Sequence, residues 1–226
     1  MRRAGPVVAI DGPVGAGKST VAQRLAQVLG FEYVNTGAMY RAVAVAARAA
    51  GIEDDDPEAE RKLDALLETA RIDFSHGLIM LDGGDISADI GSPEMSESAS
   101  RLSTLGVVRA RMRDLQRAAG ARGGVVMEGR DIGTAVFPDA EFKFFLDASA
   151  EVRAERRWRE LAARGVKIAR DEVLAQLHER DRRDRGRELA PLRPAPDAIV
   201  VDASRMGAEE VVTLMAERVR ARDGAA

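Results

Sequence analysis

An α/β domain, its parallel sheet covered by helices on both faces, is the fold class this sequence predicts. Three observations predict it. Apolar runs too short for helices recur along the chain ("VVAI", "FEYV", "VVME", "FKFFL", "AIVV"), and helical periodicity fills the segments between them. With 226 residues, 46% of them apolar, the chain can bury a real core as one domain with an inserted lobe.

The elements follow in order. Val7–Ile10 ends at Asp-Gly-Pro and reads as a central strand. Ser19–Leu29 carries Val21, Leu25, Val28 and Leu29 at helical spacing and stops at Gly30. Phe31–Val34 is a second strand, followed by a helix through "GAMYRAVAVAARAAG" that ends at Gly51. In "DDDPEAERKLDALLETA", acidic capping residues and Pro57 at a first-turn position precede an amphipathic helix. The pattern then changes. "RIDFSHGLIMLDGGDIS" has β-type segments around glycine turns and predicts an antiparallel insert of roughly 20–25 residues. Helices return in "SPEMSESASRLS" and "GVVRARMRDLQRAAGAR". "GVVMEG", "FKFFLDAS" and "AIVVDAS" are the remaining core strands, with Arg-rich helices Glu151–Arg164 and Asp171–Arg185 between the last two. A final helix spans about Ala208–Arg222.

Composition narrows the function. There is no Cys, which excludes disulfides, thiolate metal sites and cysteine nucleophiles together. The net charge of −3 and the 4% aromatic content argue against a nucleic-acid binder, which shows a basic surplus or stacking aromatics. No apolar run approaches a membrane span, and Met1-Arg2-Arg3 leads straight into the first strand without room for a signal peptide. A cytoplasmic protein is expected.

The most specific motif is "GPVGAGKS", which fits G-x-x-x-x-G-K-[ST] at every fixed position. Gly12, Pro13, Val14, Gly15, Ala16, Gly17, Lys18, Ser19 and Thr20 form the expected ATP-phosphate cradle. Glycines let successive backbone N–H groups converge on phosphate oxygens at a helix N-terminus. Lys18 is the point charge for the β- and γ-phosphates, and the Ser19 hydroxyl is placed to coordinate Mg2+. This loop sets the donor but not the acceptor. No N-K-x-D and no D-x-x-G after a strand occurs, so a GTPase is disfavoured.

Two further turns lie at strand exits, where α/β proteins bind ligands. "NTGAMYR" offers Thr36, Tyr40 and Arg41; "MEGRDIGTAVFPDA" places Arg130 and Asp131 on a glycine-flanked turn. ATP and a second phosphorylated substrate sharing one site would repel by several kcal/mol or more unless cations compensate them. Arginine suits that task, since its planar fork binds phosphate oxygens in pairs and keeps its charge. A phosphate acceptor is already an oxyanion and needs no general base. Accordingly His76 and His178 read as surface or packing residues.

"IDGPVGAGKST", "NTGAMYRAV", "EGRDIGTAVFPDA" with "FKFFLDAS", and "RDRRDRGR" occur in an order that resembles the bacterial cytidylate (CMP/dCMP) kinases over nearly the whole chain. The resemblance implies a P-loop nucleoside monophosphate kinase with a five-stranded parallel sheet flanked by helices. It implies one domain over residues 1–226, with a β-containing acceptor-binding insert at about 68–100 and a short helical lid at about 151–170. It assigns the acceptor phosphate to Arg41, Arg130 and Arg187 with Tyr40 alongside, cytosine to Ser100, Arg109 and Asp131, and ribose to Asp184. Lid residues Arg153 and Arg157 would close over the transferring group. Mg2+, ATP and CMP or dCMP are the implied cofactor and substrates, and a monomer is expected. Three positions depart from the usual family pattern: Asn35 and Glu128 where Asp is frequent, and Ser19 where Gly is common. The alternatives are another small-molecule P-loop kinase with UMP or dTMP as acceptor, and an ATP-dependent switch that binds a partner.

Overall fold

The computed structural model describes residues 3–54, 56–75 and 78–223. In chain order the elements are β1 (Val7–Asp11), α1 (Lys18–Leu29), β2 (Glu32–Asn35), α2 (Thr36–Ala49), α3 (Ala59–Thr69), β3 (Ile72–Ser75), β4 (Leu78–Leu81), β5 (Gly84–Asp85), α4 (Pro93–Leu102), α5 (Gly106–Gly120), β6 (Val125–Gly129), β7 (Phe142–Asp147), α6 (Ala150–Ala163), α7 (Arg170–Gly186), β8 (Ile199–Asp202) and α8 (Ala208–Asp223). They form two compact units, one of Met1–Val34 with Gly120–Ala226 and one of Asn35–Ala119. The expected insert at 68–100 falls within the second unit.

The first unit is built on a five-stranded sheet in the order β2-β6-β1-β7-β8. β1 runs parallel to β6 on one side, Val8 opposite Val126, and parallel to β7 on the other, Val8 opposite Phe142. All five residues of β1 are buried. Val8 and Ile10 join the core made with α1 and α8 through Val21, Leu25, Met215 and Val219. Val7 and Ala9 join a separate cluster with Met127, Ile132, Val136 and Phe137. Burial on both faces is why the central strands read as unbroken apolar runs. The edge strand β8 leaves Ile199 and Val200 exposed. α6 and α7 pack through Ala154, Leu161, Val173 and Leu177, with Trp158 half-buried against them and its Nε1 donating to the Ile168 carbonyl.

In the second unit, Met39, Ala42 and Val43 of α2 pack with Leu63, Leu67, Leu102 and Met112. The predicted insert is a three-stranded antiparallel sheet, β3-β4-β5. Asp82 (φ 51°) and Gly83 (φ 84°) both adopt left-handed backbone in its second turn, as a tight Asp-Gly hairpin requires. Pro57 lies outside α3, whose cap is Glu58. The Asp56 carboxylate accepts from the Glu58 N–H at 2.8 Å, so a side-chain turn occupies the position where the first helical turn is expected. His178 is exposed, as expected; His76 lies outside the described residues.

Candidate functional site: a phosphate loop and an arginine–aspartate cluster

Parallel strands deliver their exits to one edge of the sheet, and β1 passes there directly into the glycine loop. Gly12 touches the next strand so closely that a Cβ would fall 2.0 Å from the Leu146 carbonyl oxygen. Gly12→Ala is therefore expected to cost about 3 kcal/mol. A thermal melt should show a fall of about 6–12 °C; an unshifted melt would contradict this packing.

Lys18, the first residue of α1, is buried, and its ammonium donates to the Pro13 carbonyl at 2.7 Å. Burial, then the charge of Arg130, holds its pKa well below the ordinary lysine value; Arg180 adds to this, and Glu128 and Asp184 oppose it. Ser19 and Thr20 are exposed on the first turn of α1. Two arginines of α6 engage the loop's carbonyl oxygens: Arg153 Nη1 donates to Val14 at 3.2 Å and Arg156 Nη1 to Ala16 at 3.1 Å.

The turn after β6 carries the second cluster. Arg130 Nε donates to Asp184 Oδ2 at 3.0 Å and Nη1 to the Gly129 carbonyl at 3.1 Å. Arg187 places Nη2 at 3.5 Å from Asp131 Oδ1 and donates through Nε to the Ala190 carbonyl at 2.7 Å. Burial by itself would raise the Asp184 pKa, but Arg130, Arg180 and Arg187 together outweigh it and hold the carboxyl below its ordinary value. Its contribution to stability is thus present above the ordinary carboxylate range and lost as pH falls through the lowered pKa. The buried Glu128 accepts from the Tyr33 hydroxyl at 2.6 Å.

Arg153, which the resemblance assigns to the lid, is itself buried. Besides Val14 it donates to the Ala148 carbonyl at 3.0 Å and to Asp181 at 2.7 Å. Its guanidinium braces the phosphate loop in this conformation. Arg157 pairs with Glu160 one turn along α6 at 2.8 Å.

The second unit carries the remaining expected residues. Thr36 opens α2 and is buried, while Tyr40 and Arg41 are partly buried. A Cβ on Gly37 would stand 3.2 Å from Arg41 Nη1, so glycine leaves room for that guanidinium. Asn35 caps α2, accepting from the Ala38 N–H at 3.0 Å, a task its amide oxygen performs as a carboxylate would. Ser100 is buried on α4, and Arg109 of α5 donates to the Ser103 carbonyl at 3.3 Å.

Sequence reasoning missed Asp11, Arg156 and Arg180. A charged residue closing a buried strand was the available signal for Asp11; nothing local distinguishes Arg156 or Arg180 from solvated helix arginines. Within the first unit, these groups make an anion cradle facing a set of cations that are balanced by buried carboxylates.

Residues 8–221 match the family model described as cytidylate kinase. The cytidylate kinase of Citrifermentans bemidjiense is 47% identical over 223 residues, covering 98% of this chain and 96% of the relative. That of Pelotomaculum thermopropionicum is 48% identical over 218 residues, covering 96% of each. A crystal structure of an uncharacterized protein from Eubacterium ventriosum superposes with a TM-score of 0.53 at 11% identity, covering 96% of this chain and 98% of that one, and shows a shared fold alone. The chain belongs to the cytidylate kinase family.

Proposed function

We propose that this protein transfers the γ-phosphoryl group of Mg·ATP to the phosphate of CMP or dCMP, giving ADP and CDP or dCDP. The carrying observation is the cluster of Arg130, Arg187, Asp131 and Asp184 at the strand edge that also presents the Lys18 loop. A phosphate-loop hydrolase needs no such second set of cations. Family membership supports the same reading.

An acceptor phosphate oxygen attacks the γ-phosphorus and the bond to the β–γ bridging oxygen breaks, so ADP leaves with that electron pair. Positioning and neutralisation supply the rate. Lys18 and the loop amides hold the donor, Arg130 and Arg187 offset the acceptor charge, and Asp184 keeps Arg130 aimed while meeting the ribose. Asp131 accepts from the cytosine 4-amino group, whereas uracil turns a 4-oxo acceptor toward the same carboxylate and forfeits that bond. In the second unit Thr36, Tyr40, Arg41, Ser100 and Arg109 take the acceptor roles that the resemblance implies. Residues 151–170 form the lid, with Arg157 reaching the transferring group and water excluded on closure.

Among the described residues, no cluster of three His, Cys, Asp or Glu could cage a metal ion. Ser19, exposed on the first turn of α1, would be the protein ligand of an Mg2+ that otherwise takes its oxygens from nucleotide phosphates and water, and the ion would supply charge neutralisation to the transfer. No helix of the described residues is long and apolar enough to cross a membrane. A monomeric cytoplasmic enzyme acting on free nucleotides, without nucleic acid, completes the proposal.

ADP release measured side by side with CMP, dCMP, UMP, AMP and dTMP tests it. CMP or dCMP should give the highest kcat/KM. Preference for UMP or dTMP would overturn the base assignment, and slow ATP turnover indifferent to every acceptor would overturn the kinase reading.

A further inference from the structure

Asp11 ends β1 immediately before the phosphate loop and is buried. Its two carboxylate oxygens accept from two successive backbone N–H groups, Oδ1 from Ile132 and Oδ2 from Gly133, each at 2.8 Å. These are the first two donors of the single wide helical turn Ile132–Val136, donors that a helix start leaves without partners of its own. The residue at the cap position of that turn is Asp131. A capping aspartate ordinarily turns its own carboxylate back onto such donors. Asp131 makes no side-chain cap bond. Its carbonyl accepts from Ala135 at 2.8 Å and Val136 at 3.2 Å, and its carboxylate stands toward Arg187 instead.

We propose that Asp11 is a positioning residue for acceptor recognition, capping the 132–136 turn from the neighbouring strand so that the Asp131 carboxylate stays available to the acceptor base. The inference rests on the CMP-kinase reading above and deepens it. Removing the Asp11 carboxylate leaves the Gly133 N–H seeking an acceptor, and the Asp131 side chain is the one an N-cap normally supplies. Satisfying it would draw Asp131 away from Arg187 and from the base.

The charge state of Asp11 follows from its surroundings. Burial, the largest cause, and Asp131 push its pKa up against the pull of the two backbone N–H groups and Lys18, leaving it raised to about 6. Lys143, whose methylenes pass beside Gly133, is engaged with Asp197 and the Pro138 carbonyl. Above this range Asp11 accepts both bonds; below it one oxygen carries a proton and the cap weakens.

The test uses the full-length protein with ATP and CMP varied separately. Asp11→Ala should raise KM for CMP about tenfold, the scale of a lost cap. It should also shrink the preference for CMP over UMP and leave KM for ATP within about twofold. Asp11→Asn, which keeps one acceptor oxygen, should fall between wild type and Asp11→Ala. The second phosphate ionisation of CMP also lies near pH 6, so the pH readout is the ratio of the two KM values for CMP. The penalty of Asp11→Asn relative to wild type should shrink as pH falls through about 6. Equal rises in KM for ATP and CMP, or an unchanged CMP-to-UMP preference, would overturn the inference. If Asp11→Ala does not melt cooperatively, Asp11→Asn and its pH profile decide alone. A wild-type protein that fails to phosphorylate CMP would sink the functional reading itself, a result distinct from either.

Discussion

Lys18→Met is expected to lower kcat by about a thousandfold while leaving the thermal melt unchanged or raised. The two halves have separate causes. In the free protein the ammonium is buried with the Pro13 carbonyl as its acceptor, and Arg130 and Arg180 act on it from nearby. Replacing such a charge by an apolar side chain of similar length removes a desolvation cost and is often neutral or stabilising. In the proposed reaction the same ammonium would face charge that develops on the transferring group, where one preorganised donor contributes about a hundred- to a thousandfold. Coupled ADP release and calorimetry on the same preparation check both halves. A parallel loss of rate and stability would mean that Lys18 serves the fold. The pH dependence has a definite sign: ATP binding needs the ammonium, so ATP affinity should fall as pH rises through the depressed range of Lys18. The methionine variant should lack that limb.

The second large effect concerns the pair at the acceptor side. Arg130→Met should reduce kcat/KM for CMP by about a thousandfold, because a charge-assisted partner of the transferring system is lost. It should also cost about 3 kcal/mol of stability, since Asp184 is left as a buried carboxylate without its bonded arginine. Adding Asp184→Asn to that variant should restore most of the stability and none of the rate. Denaturant melts and kinetics on the four members of the cycle measure the coupling. If the double variant were as unstable as Arg130→Met, the Arg130–Asp184 bond would not be the source of the loss.

What was legible beforehand follows a physical line. The helix expected over Ser19–Leu29, the strand from Val7 and the glycine turns of the insert were readable because neighbouring residues impose them, through periodicity or through the left-handed backbone that Gly83 adopts. The phosphate loop was readable for the same reason, as a contiguous run whose members act together. Pro57 misled because a side-chain bond from Asp56, invisible to propensity, moved the start of α3. The lid role of Arg153 came from the family resemblance; its bonds to Val14 and Asp181 reach distant parts of the chain, and no local pattern announces them.

The order of residues alone thus determined the alternation of strands and helices and the glycine loop between β1 and α1. Only the folded sheet decided which carboxylate neutralises which arginine, that β1 lies between β6 and β7, and that Asp11 rather than Asp131 caps the turn after β6. Hydrogen-bonding preferences between neighbours act along the chain, whereas burial and charge pairing act through space. The latter exist only once strands far apart in sequence have been laid side by side.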